Sequence, residues 1–136
     1  MRIAVVSVPS QRKGIPEYVK SLAKGMESMG HRVDIVDAWT EDGFRLPGYE
    51  YITVCAEAAS AWGGKMPDAL SKILSSGSGL VGKKSAAFLK KTGPLFINKA
   101  LSNLMRAMEK EGMLVNWSEI LLNAAQSEAL GKRIGA

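Results

Sequence analysis

Residues 2–8 read Arg2-Ile3-Ala4-Val5-Val6-Ser7-Val8, and this short segment already indicates one kind of β-sheet. The run is almost continuously apolar and rich in β-branched side chains. A strand with one face in solvent alternates apolar and polar residues, whereas a parallel strand covered by helices on both faces is apolar throughout. The segment therefore predicts a central strand of a parallel sheet.

A helix is expected directly after this strand. Apolar side chains recur there at helical spacing and form one stripe, at Ile15, Tyr18, Val19, Leu22, Met26 and Met29. Pro16 suits the first turn of such a helix, and Gly30 suits its C-terminal end. We therefore predict a helix over about 15–29 whose stripe, including Met29, faces the core.

The rest of the chain repeats this alternation. Further strands are predicted near 32–36, 51–55 and 85–89 and from Met113 onward, and further helices over about 67–74, 95–111 and 124–134. Residues 38–49 leave room for a loop or a single turn. Strands that alternate with helices predict an α/β domain over residues 1–136, a three-layer doubly wound fold around a five-stranded parallel sheet.

Composition excludes several classes of protein. The chain has 136 residues and a single cysteine, Cys55, which excludes an internal disulfide and a cysteine-rich zinc site. No segment approaches the ~18 apolar residues of a membrane span, so we expect a cytoplasmic protein without a membrane anchor. A net charge of +5 permits an anionic ligand or an acidic partner protein. This charge supports nucleic-acid binding only weakly. The sequence leaves a homodimer open.

Ligands of an open parallel sheet bind beyond the carboxyl ends of the strands. Three loops are predicted there, at 8–15, 56–66 and 90–95. The first reads Pro9-Ser10-Gln11-Arg12-Lys13-Gly14 and enters a helix N-terminus, where backbone N–H groups favour an anion. The second contains Ser60, Trp62, Gly63, Gly64 and Lys65, and the third reads Lys90-Lys91-Thr92-Gly93-Pro94. Much of the excess positive charge thus lies at one predicted edge.

The order of these segments resembles the flavodoxin-like superfamily over nearly the whole chain. The resemblance rests on the first strand, on the serine-bearing loop with Gly14 at the helix entry, and on three further passages. These read Gly30-His31-Arg32-Val33, Tyr49-Glu50-Tyr51-Ile52-Thr53-Val54 and Trp62-Gly63-Gly64-Lys65-Met66-Pro67, before a closing Ala129-Leu130-Gly131-Lys132-Arg133. The resemblance implies the strand order 2-1-3-4-5 with FMN at the carboxyl edge. It also implies electron transfer, by a carrier or by a small NAD(P)H-dependent FMN or quinone reductase.

The resemblance also implies roles for particular residues. The loop from Ser7 to Ile15 would hold the FMN phosphate, through Ser7, Ser10, Gln11, Arg12, Lys13, Gly14 and Ile15. Trp62 would cover one face of the flavin ring, and Gly63 or Gly64 would present backbone to its reactive edge. The loop formed by Lys91, Thr92 and Gly93 would bound the other side. No catalytic nucleophile and no metal ligand are predicted.

The phosphate loop departs from the family pattern Ser/Thr-x-Thr-Gly-x-Thr. It is about two residues longer, Lys13 precedes Gly14, and Pro16 stands where the last threonine belongs. Proline also lacks a backbone donor. Either Arg12 and Lys13 compensate for the missing hydroxyls, or FMN is not the ligand. The alternative function is a flavodoxin-like module that has lost FMN and binds another anion or a protein partner.

Three other sequence features do not indicate a function. Residues 77–82 fit the dinucleotide pattern GxGxxG, but they follow a predicted helix and lead into a strand, which indicates a turn. Cys55 is not followed by the arginine of a phosphatase loop, and we interpret it as a buried apolar side chain. The lone His31 lies at the opposite predicted edge of the sheet.

Overall fold

The computed structural model describes residues 1–60 and 63–134. Its strands are β1 (Arg2–Val8), β2 (Arg32–Asp37), β3 (Tyr51–Ala56), β4 (Lys84–Lys90) and β5 (Leu114–Leu121). Its helices are α1 (Glu17–Ser28), α2 (Asp68–Ser76), α3 (Ile97–Lys110) and α4 (Ala124–Gly131), with a single 3₁₀ turn at Leu46–Gly48. The alternation of strands and helices agrees with the prediction, and so does the single turn before β3.

All strand pairs are parallel, and the order across the sheet is β2-β1-β3-β4-β5. This confirms the predicted fold class and the strand order that the resemblance implied. β1 lies in the interior of the sheet between β2 and β3, and Ile3 to Val8 are fully or almost fully buried. The continuous apolar run is therefore explained by helices on both faces.

Alternation along each strand divides the core into two layers. On β3, Tyr51 and Cys55 belong to the cluster under α1 and α4, whereas Ile52 and Val54 belong to the cluster under α2 and α3. Successive strand residues point to opposite faces of a sheet. The two clusters therefore lie on the two sides of one sheet, as in a three-layer fold.

Both ends of α1 differ from the prediction. α1 begins at Glu17 because Ile15 precedes a proline, which disfavours helical backbone, and Pro16 itself is extended. Met29 follows the last helical residue and is 53% exposed, so its predicted place in the core was wrong. Met26, one turn earlier, is fully buried as predicted.

α1 and α4 pack closely because both carry a glycine at their contact. A Cβ on Gly25 would overlap the carbonyl oxygen of Glu128, and a Cβ on Gly131 would overlap the carbonyl oxygen of Leu22. The absence of side chains at these positions lets the two backbones approach each other. This contact fixes α4 against α1 on one face of the sheet.

No helix within residues 1–60 and 63–134 is long and apolar enough to cross a membrane.

Candidate functional site

Three loops begin side by side at the carboxyl edge of the sheet. The register pairs Val8 of β1 with Ala56 of β3, and Ala56 with Leu89 of β4, so these strands end at the same level. The chain then passes from β1 to α1 on one face and from β3 to α2 on the other. Neighbouring connections that diverge in this way leave a crevice, which is where ligands of doubly wound sheets bind.

Glu57 is the first residue after β3 and lies at this divergence. It continues the alternation of Tyr51 and Cys55, so its side chain points to the face that carries α1. Its backbone N–H donates to the carbonyl of Val8 (3.0 Å) and extends the ladder between β1 and β3. The side chain is only 5% exposed. A carboxylate buried to this degree needs hydrogen-bond donors around it.

The donors come from the β1–α1 loop and from α1. Oε1 of Glu57 accepts from the backbone N–H of Ser10 (3.1 Å) and from Nζ of Lys13 (2.9 Å). Oε2 accepts from the hydroxyl of Tyr18 (2.8 Å). One neutral N–H, one ammonium group and one hydroxyl thus converge on a single carboxylate. This is a donor set for an anion, and a carboxylate of the same chain is bound in it.

The protonation states agree with this geometry. Burial by itself would raise the pKa of Glu57, but the hydrogen bonds from Lys13, from the Ser10 N–H and from Tyr18 outweigh it and hold the pKa below the ordinary value. Burial, and then the neighbouring Glu57 charge, raises the pKa of Tyr18. Glu57 is therefore ionised at neutral pH, and Tyr18 keeps the proton that it donates.

The β1–α1 loop is held in place by a second set of contacts. The indole N–H of Trp39 donates to the carbonyl of Pro9 (2.8 Å), and the guanidinium of Arg12 donates to the carbonyl of Trp39 (3.1 Å). These bonds tie both ends of the segment 9–12 to the chain that follows β2. The loop is thus anchored on one side by Trp39 and on the other side by Glu57.

The predicted phosphate-binding residues have different surroundings in the structure. Ser7 lies inside β1 and is fully buried, and its Oγ has no hydrogen-bond partner among the described residues. Gln11 and Gly14 are exposed on the loop, and Ile15 packs against the core under α1. Ser10 and Lys13 both contact Glu57. The loop therefore lies where it was predicted, with two of its donors already engaged.

A shallow crevice with room for about 20 Å³, partly open to solvent, lies between the second and third loops. Its lining residues are Ala58, Ser60, Gly64, Leu89, Lys90, Thr92, Gly93, Leu95, Phe96, Ile97 and Ala100. Gly63 and Gly64 both have positive φ (77° and 71°), which glycine adopts without strain. A Cβ on Gly64 would contact the backbone N of Ala100 in α3, whereas nothing lies near a Cβ on Gly63. Trp62 lies outside the described residues.

Phe96 adds an unusual backbone feature to this crevice. It precedes α3 with φ 61° and ψ 20°, a left-handed conformation that is uncommon for a bulky residue. The residue is 41% exposed and lines the crevice, as does Gly64. Strained residues of this kind occur preferentially at binding sites. This feature was not predicted from the sequence.

The third loop divides between two surfaces. Thr92 and Gly93 line the crevice together with Lys90. Lys91 instead lines a groove beside β5, where its N–H donates to the carbonyl of Leu121 (2.9 Å). Nζ of Lys90 lies 5.6 Å from the centre of the Tyr18 ring. Lys90 therefore connects the crevice to the cluster around Glu57.

Glu57 was not among the predicted site residues. The predictions for the second loop rest on its glycines and its tryptophan, and not on the acidic residue at its start. A signal was nevertheless present, because an acidic residue directly after a fully apolar strand lies among predicted cations at the carboxyl edge. Its partners were not evident, since Lys13 and Tyr18 lie 44 and 39 positions away in sequence.

FMN, which the resemblance implies, does not fit the β1–α1 loop as it stands. A phosphate would need the Ser10 N–H and the Lys13 ammonium, and both are bound to Glu57. If the carboxylate stayed beside it, like charges about 4 Å apart would repel by about 4 kcal/mol for each pair of unit charges at an effective dielectric constant of about 20. Among the residues that the structure describes, no carboxylate lines the crevice between the second and third loops, so an uncharged ring meets no such repulsion there.

Solved structures of several proteins share this architecture. Flavodoxin 1 from Bacillus cereus superposes with a TM-score of 0.71 at 17% identity, over 96% of this chain and 95% of that one. A flavodoxin from the domain Archaea gives 0.72 at 19% identity, over 98% and 96%. A flavone reductase gives 0.75 at 11% identity, over 98% of this chain and 62% of that one. No family model and no curated protein matches the sequence. Identities this low show the fold alone, which is flavodoxin-like, as predicted.

Proposed function

We propose that this chain binds a flavin at the carboxyl edge of the sheet and acts in electron transfer, as a carrier or as a small flavin-dependent reductase. The observation that carries the proposal is the crevice beside the switch point, which Gly64, Thr92 and Gly93 line together. Ligands of this architecture bind beyond the carboxyl ends of the strands, next to the switch point. The flavodoxins among the structural neighbours make a flavin the first ligand to test.

The flavin, once bound, supplies the one- or two-electron chemistry, and the chain supplies position and surroundings. Gly64 lines the crevice without a side chain, and its carbonyl oxygen is held by Nδ2 of Asn103 (2.9 Å). Lys90 places a positive charge at the rim of the crevice. A cation near the ring favours added negative charge on it, and therefore favours reduction. The same cationic edge suits an acidic redox partner.

A second candidate function follows from the Glu57 cluster. In it, the chain is a flavodoxin-like module without a flavin, which binds another ligand or a protein partner. The observation in its favour is that the donors suited to a phosphate are satisfied within the chain. Spectroscopy separates the two candidates, since a flavoprotein takes up riboflavin or FMN and quenches its fluorescence at micromolar concentration, whereas the module leaves both ligands unchanged.

A substitution that fills the crevice locates the site. A Cβ on Gly93 meets nothing within 4 Å, so Gly93→Leu occupies the crevice without disturbing the fold. We expect this variant to bind flavin at least about tenfold more weakly than the wild type, because a well-placed ring contact contributes about 1.4 kcal/mol or more. Gly48→Leu is the matched control, since Gly48 also faces open space but precedes β3 at the opposite edge. Equal affinities of the two variants would remove the crevice as the flavin site.

A further inference from the structure

The arrangement around Glu57 has the form of an occupied anion site. Its donors are a backbone N–H of the loop that enters α1, a lysine of the same loop and a hydroxyl in the first turn of α1. A loop and helix N-terminus after the first strand are well suited to bind an anion. Here the bound anion is the carboxylate of Glu57, the residue that directly follows β3.

Resting on the proposed function, we propose that Glu57 occupies the anion subsite of the β1–α1 loop and makes the crevice selective for a flavin or similar planar ligand that lacks a phosphate. In that case riboflavin is a better ligand than FMN. Glu57 thus acts as a specificity-determining residue, because its negative charge repels a phosphate and its carboxylate already occupies the three donors that a phosphate would need.

The loop cannot easily open to admit both anions. Trp39 holds the carbonyl of Pro9, and Arg12 in turn holds the carbonyl of Trp39, so the segment 9–12 is tied on the side away from Glu57. On the other side, Oε1 of Glu57 is shared by Ser10 and Lys13. A phosphate would have to displace the carboxylate from all three donors and leave it buried without partners, which is costly.

The donors themselves are adequate for a phosphate once the carboxylate is gone. Lys13 keeps 42% of its side chain exposed, so its ammonium is accessible from solvent. The Ser10 N–H and the Tyr18 hydroxyl point at the position that Glu57 now fills. Removing the carboxylate while keeping the fold should therefore convert the loop into a phosphate site.

Two variants and one control test this. Glu57→Ser removes the carboxylate and supplies a small hydroxyl, and Glu57→Ala removes the carboxylate and leaves its place open. Glu50→Gln is the matched control, because Glu50 also accepts a backbone N–H, that of Arg2 (3.1 Å), but at the opposite edge of the sheet. All three lose one negative charge, so a general change in net charge affects them equally.

The first measurement needs no flavin. Thermal unfolding is followed with and without inorganic phosphate at constant ionic strength. We expect phosphate to raise the Tm of Glu57→Ser, or of Glu57→Ala if the serine variant does not fold, by several degrees, and to leave the wild type and Glu50→Gln unchanged. Equal stabilisation of the wild type would overturn the inference. Absence of stabilisation in both Glu57 variants would overturn it as well, since the loop would then not be an anion subsite.

The second measurement compares affinities for riboflavin and FMN by fluorescence quenching. We expect the wild type to prefer riboflavin by about tenfold or more and Glu57→Ser to prefer FMN, because about 1.4 kcal/mol of differential binding gives that ratio. Tighter binding of FMN by the wild type would refute the selectivity and leave the proposed function standing. If no protein binds either flavin, the proposed function fails, and the phosphate measurement still decides whether Glu57 fills an anion subsite.

Discussion

The stability that Glu57 confers can be measured by replacing it with glutamine. This change keeps the size of the side chain and an oxygen that can accept from Tyr18, and it removes the charge. The hydrogen bonds at risk are those from the Ser10 N–H (3.1 Å) and the Tyr18 hydroxyl (2.8 Å), since Lys13 is 42% exposed and regains water. We expect Glu57→Gln to unfold more readily than the wild type at neutral pH.

The size of the effect follows from these contacts. Hydrogen bonds to a charged group contribute about 1.5–3 kcal/mol each, roughly twice as much as neutral ones. Making two of them neutral costs about 2–3 kcal/mol, and relief of the cost of burying a carboxylate returns part of this. The exposed Lys13 contact adds little. The expected loss is about 1–2 kcal/mol, which lowers the urea midpoint by about 0.5–1 M for a slope of about 2 kcal/mol per M.

The effect must also depend on pH, in a direction that the structure determines. The pKa of Glu57 in the folded chain lies below its ordinary value of 4.5, so below that pH the unfolded chain binds a proton that the folded chain does not. The stabilisation by Glu57 is thus complete above pH 4.5 and is lost as the pH falls through the folded-state pKa. The difference between wild type and Glu57→Gln should shrink over that interval.

Urea unfolding followed by tryptophan fluorescence and circular dichroism, from pH 7 down to pH 3, measures both quantities. Subtracting the curve of the variant from that of the wild type removes the contribution of all other carboxylates. Glu50→Gln, at an exposed position, should change stability by less than about 0.5 kcal/mol. Equal stability of wild type and Glu57→Gln at neutral pH, or a difference that stays constant down to pH 3, would refute the reasoning.

Three further predictions concern the surroundings of the site. Gly25→Ala should lower the Tm by about 5–10 °C, because a Cβ there overlaps a backbone carbonyl of α4. This overlap outweighs the higher helix propensity of alanine, which by itself favours the helix by about 1 kcal/mol. Gly48→Ala is the control, since Gly48 faces open space and its substitution should leave the Tm nearly unchanged. Cys55 is fully buried and burial raises its pKa, so a thiol reagent should modify it only in denaturant, and rapid modification of the native protein would contradict the packing of β3. Trp39→Phe removes the bond to the carbonyl of Pro9 (2.8 Å) and should cost about 1 kcal/mol and speed hydrogen exchange in the β1–α1 loop; unchanged exchange would show that this bond does not hold the loop.

Much of the fold was predictable because its signals are local. The apolar run of β1 reports burial on both faces, and the stripe of α1 reports one buried face, whatever the rest of the chain does. The errors arose at boundaries, where neighbouring residues compete. Pro16 moved the start of α1 to Glu17, and the helix ended before Met29 could face the core.

The candidate site was predictable in its location and less so in its contents. The three loops meet at the carboxyl edge, and Gly64, Thr92 and Gly93 line one crevice there. Phe96, just before α3, lines the crevice but was not among the predicted site residues. Its left-handed backbone has no signature in the sequence, because a bulky residue rarely adopts that conformation.

The sequence by itself determined the order of strands and helices, the parallel sheet and the edge at which cations gather, because each depends on periodicities within a few residues. Only the tertiary structure decided what the cations bind. Lys13 was predicted to bind a phosphate, and in the structure it forms an ion pair with Glu57. The two residues meet because β3 pairs with β1 and because the alternation of side chains along β3 turns Glu57 toward α1. The partner of a charged side chain thus depends on residues far away in sequence, and no local sequence pattern identifies that partner.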